Sequence, residues 1–490
     1  MGNSIYKKIG LVAGPLLFLL TQLFFQPEGL SEKAISVLAI TLWVAVWWTL
    51  EVVPIAVTSL LPIILFPLTG AIDISTTTQA YGHKYVFLYL GGFILAISIE
   101  RWNLHKRIAL YIISVIGTGL KKIILGFMVA TGFLSMWISN TATAVMMLPI
   151  GMAIISQLKE TKTDQKESER FAKALMLGIG YSASIGGMAT LIGTPPNIVL
   201  ASILEKTYQV EISFFQWMLL GVPLAVLLMF IAWKYLTSFA FSFQQNQFPG
   251  GKEEIKRLQK ELGPLGFEEK TVLVVFCLTA ICWMTRSYLL APILPGIDDT
   301  IIAIAAALLI FLLPTKNKTQ KSLLTWEQAV ELPWGVLLLF GGGLALAEGF
   351  ATTGLAEWIG QQMTSFEHIS LFLMLILIVA SVNFLTEITS NTATTSMMLP
   401  VIVPTALVLN VHPYPLMIGV ALAASCAFML PVATPPNAIV FGSGYLTIPN
   451  MLKTGVWMNI LSIILIVLLI YLGLPIIWGL ELNEFPKYLK

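Results

Sequence analysis

The sequence predicts an all-α, polytopic membrane protein made of two inverted-topology repeats, each with a re-entrant hairpin and a broken span. Three observations carry this prediction. First, the 490 residues are 57% hydrophobic and only 11% charged, with mean hydropathy +0.84. A soluble domain carries roughly 25% charge, so most of this surface must face lipid. Second, apolar windows of about 20 residues recur along the chain, long enough to cross a bilayer core of about 30 Å. Third, two polar runs recur in the same order. Ser139-Asn140-Thr141-Ala142-Thr143 returns as Ser390-Asn391-Thr392-Ala393-Thr394, and Thr194-Pro195-Pro196-Asn197 returns as Thr434-Pro435-Pro436-Asn437. The net charge of +2 argues against a nucleic-acid partner. Cys277, Cys282 and Cys426 lie in apolar segments without metal-ligand spacing and read as small apolar fillers.

Lys7 and Lys8 precede an apolar run from Ile9 to Phe25 that lacks an A-x-A-like cleavage site, so it reads as a retained first span. Spans two and three follow at about 34–50 and 53–69, with Glu51 and Pro54 at their turn. Glu51 reads as an interfacial or capping carboxylate rather than a functional intramembrane one. Span four, about 86–100, carries Gly91-Gly92, small residues that permit close helix packing. From Arg101 to Leu120 the apolar residues keep helical spacing, and His105, Lys106 and Arg107 cluster at the start. This stretch reads as an amphipathic helix on the membrane surface, with His105 a solvated interfacial residue.

Lys121 to Leu158 is apolar except for the polar run at its centre, and lysines flank both ends. Each half is short, so the segment predicts a re-entrant hairpin with the polar run at its tip. Thr161 to Lys173 reads as a charged cytoplasmic loop. Span five, about 174–202, breaks at Gly193-Thr194-Pro195-Pro196-Asn197, where two prolines remove two backbone donors. A break at that depth is tolerated only where the backbone lines a cavity or is covered by protein. Span six (about 214–236), a polar loop (about 241–270) and spans seven and eight (about 271–291 and 300–313) follow. The second half opens near Trp334. There Gly341-Gly342-Gly343 answers Gly91-Gly92, and Gly354 to Gly360 answers the surface helix. A second hairpin (about 369–410), a second broken span (about 415–442) and a last span (about 455–478) complete the chain.

Alternating these spans puts the N-terminus inside and the C-terminus outside. Of the 28 Lys and Arg, only Lys33, Lys84, Lys206, Arg286, Lys487 and Lys490 then fall outside, the asymmetry the positive-inside rule demands. An odd number of crossings separates the two repeats, so they are inverted. Inverted repeats with broken helices meeting at the midplane are the architecture of secondary transporters.

The chemistry of the breaks points to a small anion and accompanying cations. Each hairpin tip exposes a half-helix N-terminus, whose free N–H groups and dipole attract negative charge. Asn140, Thr141, Asn391 and Thr392 add uncharged donors there. Thr194 and Thr434 read as N-caps of two more half-helices, each with Pro at the first helical position. No Lys or Arg lies in either tip or break, so a bound dianion needs cations as partners. Hydroxyl, amide and carbonyl oxygens suit a hard cation such as Na⁺. Glu387, three residues before Ser390, reads equally as a functional group, modulating such a site or carrying a proton, and as a paired structural carboxylate.

At these residues the chain resembles the divalent anion/sodium symporter family, the INDY-type bacterial dicarboxylate carriers. The stretch Gly91-Gly92-Phe93 through Glu100-Arg101-Trp102-Asn103-Leu104-His105-Lys106-Arg107 strengthens the resemblance. It implies eleven spans plus two re-entrant hairpins, a homodimer in the plasma (inner) membrane, and elevator-type transport of C4-dicarboxylates coupled to Na⁺. The implied scaffold is 1–120 (spans one to four, first arm helix) and 241–368 (cytoplasmic loop, spans seven to nine, second arm helix). The implied transport domain is 121–240 (hairpin one, spans five and six) and 369–490 (hairpin two, spans ten and eleven). The arms would be about 102–120 and 353–364. Carried over by motif, substrate contacts are Asn140, Thr141, Thr194, Asn391, Thr392 and Thr434. One Na⁺ site would use Ser135, Ser139, Asn140 and Gly193, and the other Thr386, Thr389, Asn391 and Ala433. The family also contains Na⁺-independent dicarboxylate exchangers, the alternative reading. An intramembrane hydrolase is disfavoured, because neither tip holds a histidine and no His-Glu-x-x-His occurs. A channel would lack saturable, stoichiometric uptake.

Overall fold

The breaks predicted from proline and polar runs are where the helices stop. The computed structural model describes residues 5–160, 165–243, 250–317, 320–362 and 369–489, and among these the fold is helical with no strand. The first half runs α1 (Ile5–Phe24), α2 (Glu32–Leu50), α3 (Ile55–Thr58), α4 (Leu61–Leu68), α5 (Ile74–Gln79), α6 (Lys84–Arg101), α7 (Leu104–Ile116), α8 (Leu120–Ser135), α9 (Asn140–Glu160), α10 (Gln165–Gly187), α11 (Pro195–Tyr208) and α12 (Phe214–Lys234). It continues through α13 (Gly251–Glu261), α14 (Phe267–Thr285), α15 (Asp299–Leu312) and α16 (Trp326–Ala329). The second half is α17 (Trp334–Thr353), α18 (Leu355–Gln362), α19 (Leu371–Leu385), α20 (Asn391–Val408), α21 (Pro413–Ala424), α22 (Pro435–Phe441), α23 (Ile448–Leu468) and α24 (Leu474–Trp478). Among the described residues nine helices are long and apolar enough to cross a membrane. The protein is a multi-pass membrane protein.

Local chemistry sets the ends. Ser31, Asp73, Ser213, Ser370 and Thr447 each accept a hydrogen bond from the third residue of the helix they open, as N-caps do. Glu51 closes α2 in a left-handed conformation (φ 45°), with its N–H on Trp47 O, so the residue caps the helix through its backbone.

Several expectations are corrected. The predicted third span is not continuous: α3 and α4 part at Ser59-Leu60, because Pro62 lacks the N–H that would bond to Thr58. Gln165–Lys173 is not loop but the first turns of α10. It is rich in helix-forming residues and buries Phe171 and Ala172; the remaining 161–164 lie outside the described residues. The polar loop at 241–270 contains α13, closed by ion pairs from Arg257 to Glu254 and Glu261; its 244–249 also lie outside. The second arm helix ends at Gln362, and 363–364 are not described. His105 is buried at 4% exposure, not solvated. It follows Asn103 (φ 55°), which turns the chain so that the ring faces inward, Nδ1 lying 3.2 Å from Ile99 O.

The order of elements repeats. The helix–break–helix α8/α9 matches α19/α20, and the broken pair α10/α11 matches α21/α22. The halves also interlock. The second member of each broken pair packs on the other repeat: α22 lies against α9 and α10, and α11 lies against α20 and α21. On one face, α7 is tied to the turn before α14. Arg107 bonds both carboxylate oxygens of Glu269 (3.1 and 3.0 Å) and donates to the carbonyls of Leu262, Gly263 and Pro264. Losing these charged bonds costs roughly 1.5–3 kcal/mol. Arg107→Ala should therefore lower the melting temperature of the detergent-purified protein. Arg107→Lys should recover only part of the loss, because an ammonium cannot reproduce the fork.

Candidate functional site

Both tips and both breaks open onto one cavity of about 970 Å³. The first tip contributes Ser139, Asn140 and Thr141, the second Thr389, Ser390, Asn391 and Thr392; the breaks contribute Gly193 and Thr194, and Ala433 and Thr434. Of the substrate and Na⁺ contacts implied from sequence, only Ser135 and Thr386 are not on the cavity wall. Both are fully buried behind it.

The two sides of the site are built alike. Ser135 Oγ bonds Asn140 Oδ1 (2.5 Å) and Ala183 O (2.6 Å). At the matching place Thr386 Oγ1 bonds Asn391 Oδ1 (2.8 Å) and Ala424 O (3.0 Å). With its nitrogen turned inward, the Asn140 amide donates to Ser135 Oγ, Ala183 O (2.9 Å) and Gly193 O (3.3 Å). With its oxygen inward, one hydroxyl, one amide and two carbonyl oxygens converge, a donor set matched to a hard cation. This convergence needs glycine: a Cβ on Gly187 would lie 2.5 Å from Asn140 Oδ1, and one on Gly193 2.5 Å from Gly187 O. Ser139 Oγ caps α9 by accepting from Ala142 N (3.2 Å). Thr389 Oγ1 is engaged with Leu385 O (2.9 Å) and Thr394 Oγ1 (2.5 Å).

The breaks are held open by different chemistry. At the first, Asn197 Nδ2 donates to the carbonyls of Gly187, Met188 and Thr190, the last at 2.7 Å. Trp217 Nε1 adds a bond to Met188 O. At the second, Asn437 Nδ2 donates to Ala427 O and Leu430 O (3.0 and 3.1 Å). There the Glu387 carboxylate accepts three successive backbone N–H groups, from Phe428, Met429 and Leu430 (2.8, 2.9 and 3.0 Å), and Asn459 Nδ2 (2.8 Å). Glu387 is thus the structural carboxylate of the two readings. Thr434 Oγ1 caps α22 by accepting from Asn437 N (3.3 Å). Thr194 does not cap α11 through its side chain, so its hydroxyl stays on the cavity wall.

At its mouth the cavity is lined by Lys7, Glu51, Glu100 and Glu331. Its remaining wall is one face of α6, including Tyr89, Phe93, Ala96 and Ile97, together with Val336 and Leu339 of α17.

A family profile described as "Sodium:sulfate symporter transmembrane region" matches residues 6–479. The chain belongs to the divalent anion/sodium symporter family. Among relatives, the sodium-dependent dicarboxylate transporter SdcS of Staphylococcus saprophyticus is 49% identical over 493 residues, spanning 99% of this chain and 95% of its own. SdcS of Staphylococcus aureus is 50% identical over 488 residues, with 98% and 94% coverage. In fold the chain is similar to MtrF of Neisseria gonorrhoeae (TM-score 0.60, 14% identity, 96% of both chains). It is also similar to the YdaH transporter of Alcanivorax borkumensis (TM-score 0.52, 12% identity, 83% and 87%).

In this divalent anion/sodium symporter the sequence reading missed the carbonyls of Ala183 and Ala424, which no side chain advertises. It also gave no role to Asn197 and Asn437, although each stands in a repeated motif. The acidic mouth comes from residues far apart in the chain. Replacing Glu387 by Ala strands three backbone donors, each costing roughly 1–3 kcal/mol when unpaired. Glu387→Ala should therefore lower thermal stability far more than Asn391→Ala, measured by melting in detergent.

Proposed function

We propose that the chain is a Na⁺-coupled symporter of C4-dicarboxylates such as succinate, malate and fumarate, working by an elevator motion, and not an enzyme. One observation carries this reading. Four half-helix starts, Asn140, Pro195, Asn391 and Pro435, converge on one cavity. Among the described residues its sole basic lining residue, Lys7, stands at the mouth. Donors without fixed charge can orient two carboxylates but cannot neutralise them.

In this reading Asn140, Thr141, Asn391 and Thr392 orient the dianion through tip amides and hydroxyls, and Thr194 and Thr434 add hydroxyls from the breaks. Na⁺ is cargo. One ion is held by Ser135, Ser139, Asn140 and Gly193 with the Ala183 carbonyl, the other by Thr386, Thr389, Asn391 and Ala433 with that of Ala424. Asn140 and Asn391 face both the anion and an ion, which couples the two occupancies. Electrical work gives the same direction. Moving a dianion into an interior at −100 mV costs about 4.6 kcal/mol. Two Na⁺ cancel that cost, and a third makes import favourable. The relatives named as sodium-dependent dicarboxylate transporters support this assignment.

The eleven-span topology with two re-entrant hairpins, cytoplasmic N-terminus and external C-terminus belongs to the same proposal, as does a homodimer in the plasma membrane. Residues 1–120 and 241–368 form the scaffold; 121–240 and 369–490 form the moving body. Support comes from Lys84, Lys206 and Arg286, three of the basic residues assigned outside, which share one ionic cluster at the end of α6 away from the mouth. With that cluster outside, the cavity opens inward.

Proteoliposomes holding the purified chain should take up radiolabelled succinate only with an inward Na⁺ gradient. Succinate counterflow of equal rate without Na⁺ would instead establish dianion exchange. Asn140→Ala and Asn391→Ala should each abolish uptake while the protein keeps its elution profile and melting curve. Near-normal uptake by both variants would remove the tips from the mechanism.

A further inference from the structure

We propose that the ion-pair cluster at the end of α6 opposite the cavity mouth is a conformational latch that holds that end of the passage shut. The proposal rests on the two-body reading above. Helix α6 carries Glu100 at the mouth and begins at Lys84, about 25 Å away at 1.5 Å per residue. At that far end, Glu205 and Lys206 at the end of α11 and Glu211 before α12 meet charges from four other places. Lys84 Nζ lies 2.6 Å from Glu205, 3.9 Å from Glu211 and 4.0 Å from Asp298. Arg286, just after α14, lies 2.9 Å from both Glu211 and Asp299. Lys206 pairs with Glu348 of α17.

The pairs are arranged to bridge rather than decorate. Glu205, Lys206 and Glu211 belong to the proposed moving body, whereas Lys84, Arg286, Asp298, Asp299 and Glu348 belong to the scaffold. The signs alternate across the joint, so each moving charge faces an opposite fixed one. The Arg286 and Asp299 side chains are 10% and 4% exposed. Water therefore screens this scaffold pair far less than a surface pair, and withdrawing Glu211 from Arg286 leaves a buried guanidinium without its partner across the joint. Asp299 also accepts the Phe214 N–H at the start of α12 (2.8 Å), fixing the register of the joint.

A second observation places a different partner set on this path. Tyr85 and Tyr89 lie one turn apart on α6, Tyr85 beside the latch at Lys84 and Tyr89 on the cavity wall, and the hydroxyls of both are buried without a hydrogen-bond partner. Buried hydroxyls are almost always paired. Opening the latch lets the polar tips slide toward this end, where they meet those hydroxyls. The same face of α6 thus serves both conformations.

The test uses the full-length chain in vesicles of both orientations, with Cys277, Cys282 and Cys426 replaced by Ser and Ser390→Cys as reporter. A membrane-impermeant maleimide should label the parent from the mouth side alone. Lys84→Gln combined with Arg286→Gln should raise labelling from the latch side about tenfold, the response to weakening one state of a two-state equilibrium. Lys206→Glu and Glu348→Lys should each do the same, and together they should return labelling to the parental pattern, which a merely misfolded variant would not. Unchanged latch-side labelling in all these variants overturns the latch. Failure of the unsubstituted chain to take up succinate overturns the transport reading alone, because labelling does not depend on it.

Discussion

A backbone interrupted inside a membrane must find partners for every freed N–H and C=O within the protein. That constraint governs this structure. The helices stop at four places near the cavity, and the two breaks are furnished with dedicated partners. Asn197 and Trp217 take the loose carbonyls of the first broken pair, and Asn437 takes those of the second. Glu387 and Asn459 gather the loose N–H groups. What remains unclaimed at the tips is left for a ligand.

The two halves solve this problem with similar parts and unequal charge. Ser135 and Thr386 are equivalent, since each ties an asparagine amide to an alanine carbonyl on the neighbouring broken helix. The second break, however, is longer, and a carboxylate anchors it where the first uses neutral amide, indole and hydroxyl groups.

The breaks were the most legible feature of the sequence. Proline pairs and polar runs in apolar surroundings conflict with an unbroken helix, and the second half-helices begin there, at Asn140, Pro195, Asn391 and Pro435. The first halves end earlier, at Ser135, Gly187, Leu385 and Ala424. The cavity was legible because the same motif occurs twice, at Asn140 and Asn391. Short-range order outside the membrane was less so. Charged 165–173 reads as loop by composition, yet its residues are good helix formers that extend α10. His105 carries no sign of its own burial, which depends on the turn at Asn103. Carbonyl contributions from Ala183 and Ala424 depend on backbone direction alone. The acidic mouth depends on bringing Glu51, Glu100 and Glu331 together from separate helices.

The crossing of the repeats, with α22 seated on α9 and α10 and α11 on α20 and α21, bears on leakage. Neither tip can withdraw without dragging the helix that the opposite repeat has embedded in it. The two tips and the two breaks are thus interlocked, and they face the wall that α6 and α17 supply. Spreading the tips away from the breaks would mean breaking the contacts between the repeats, so the chamber resists opening by parting its own halves.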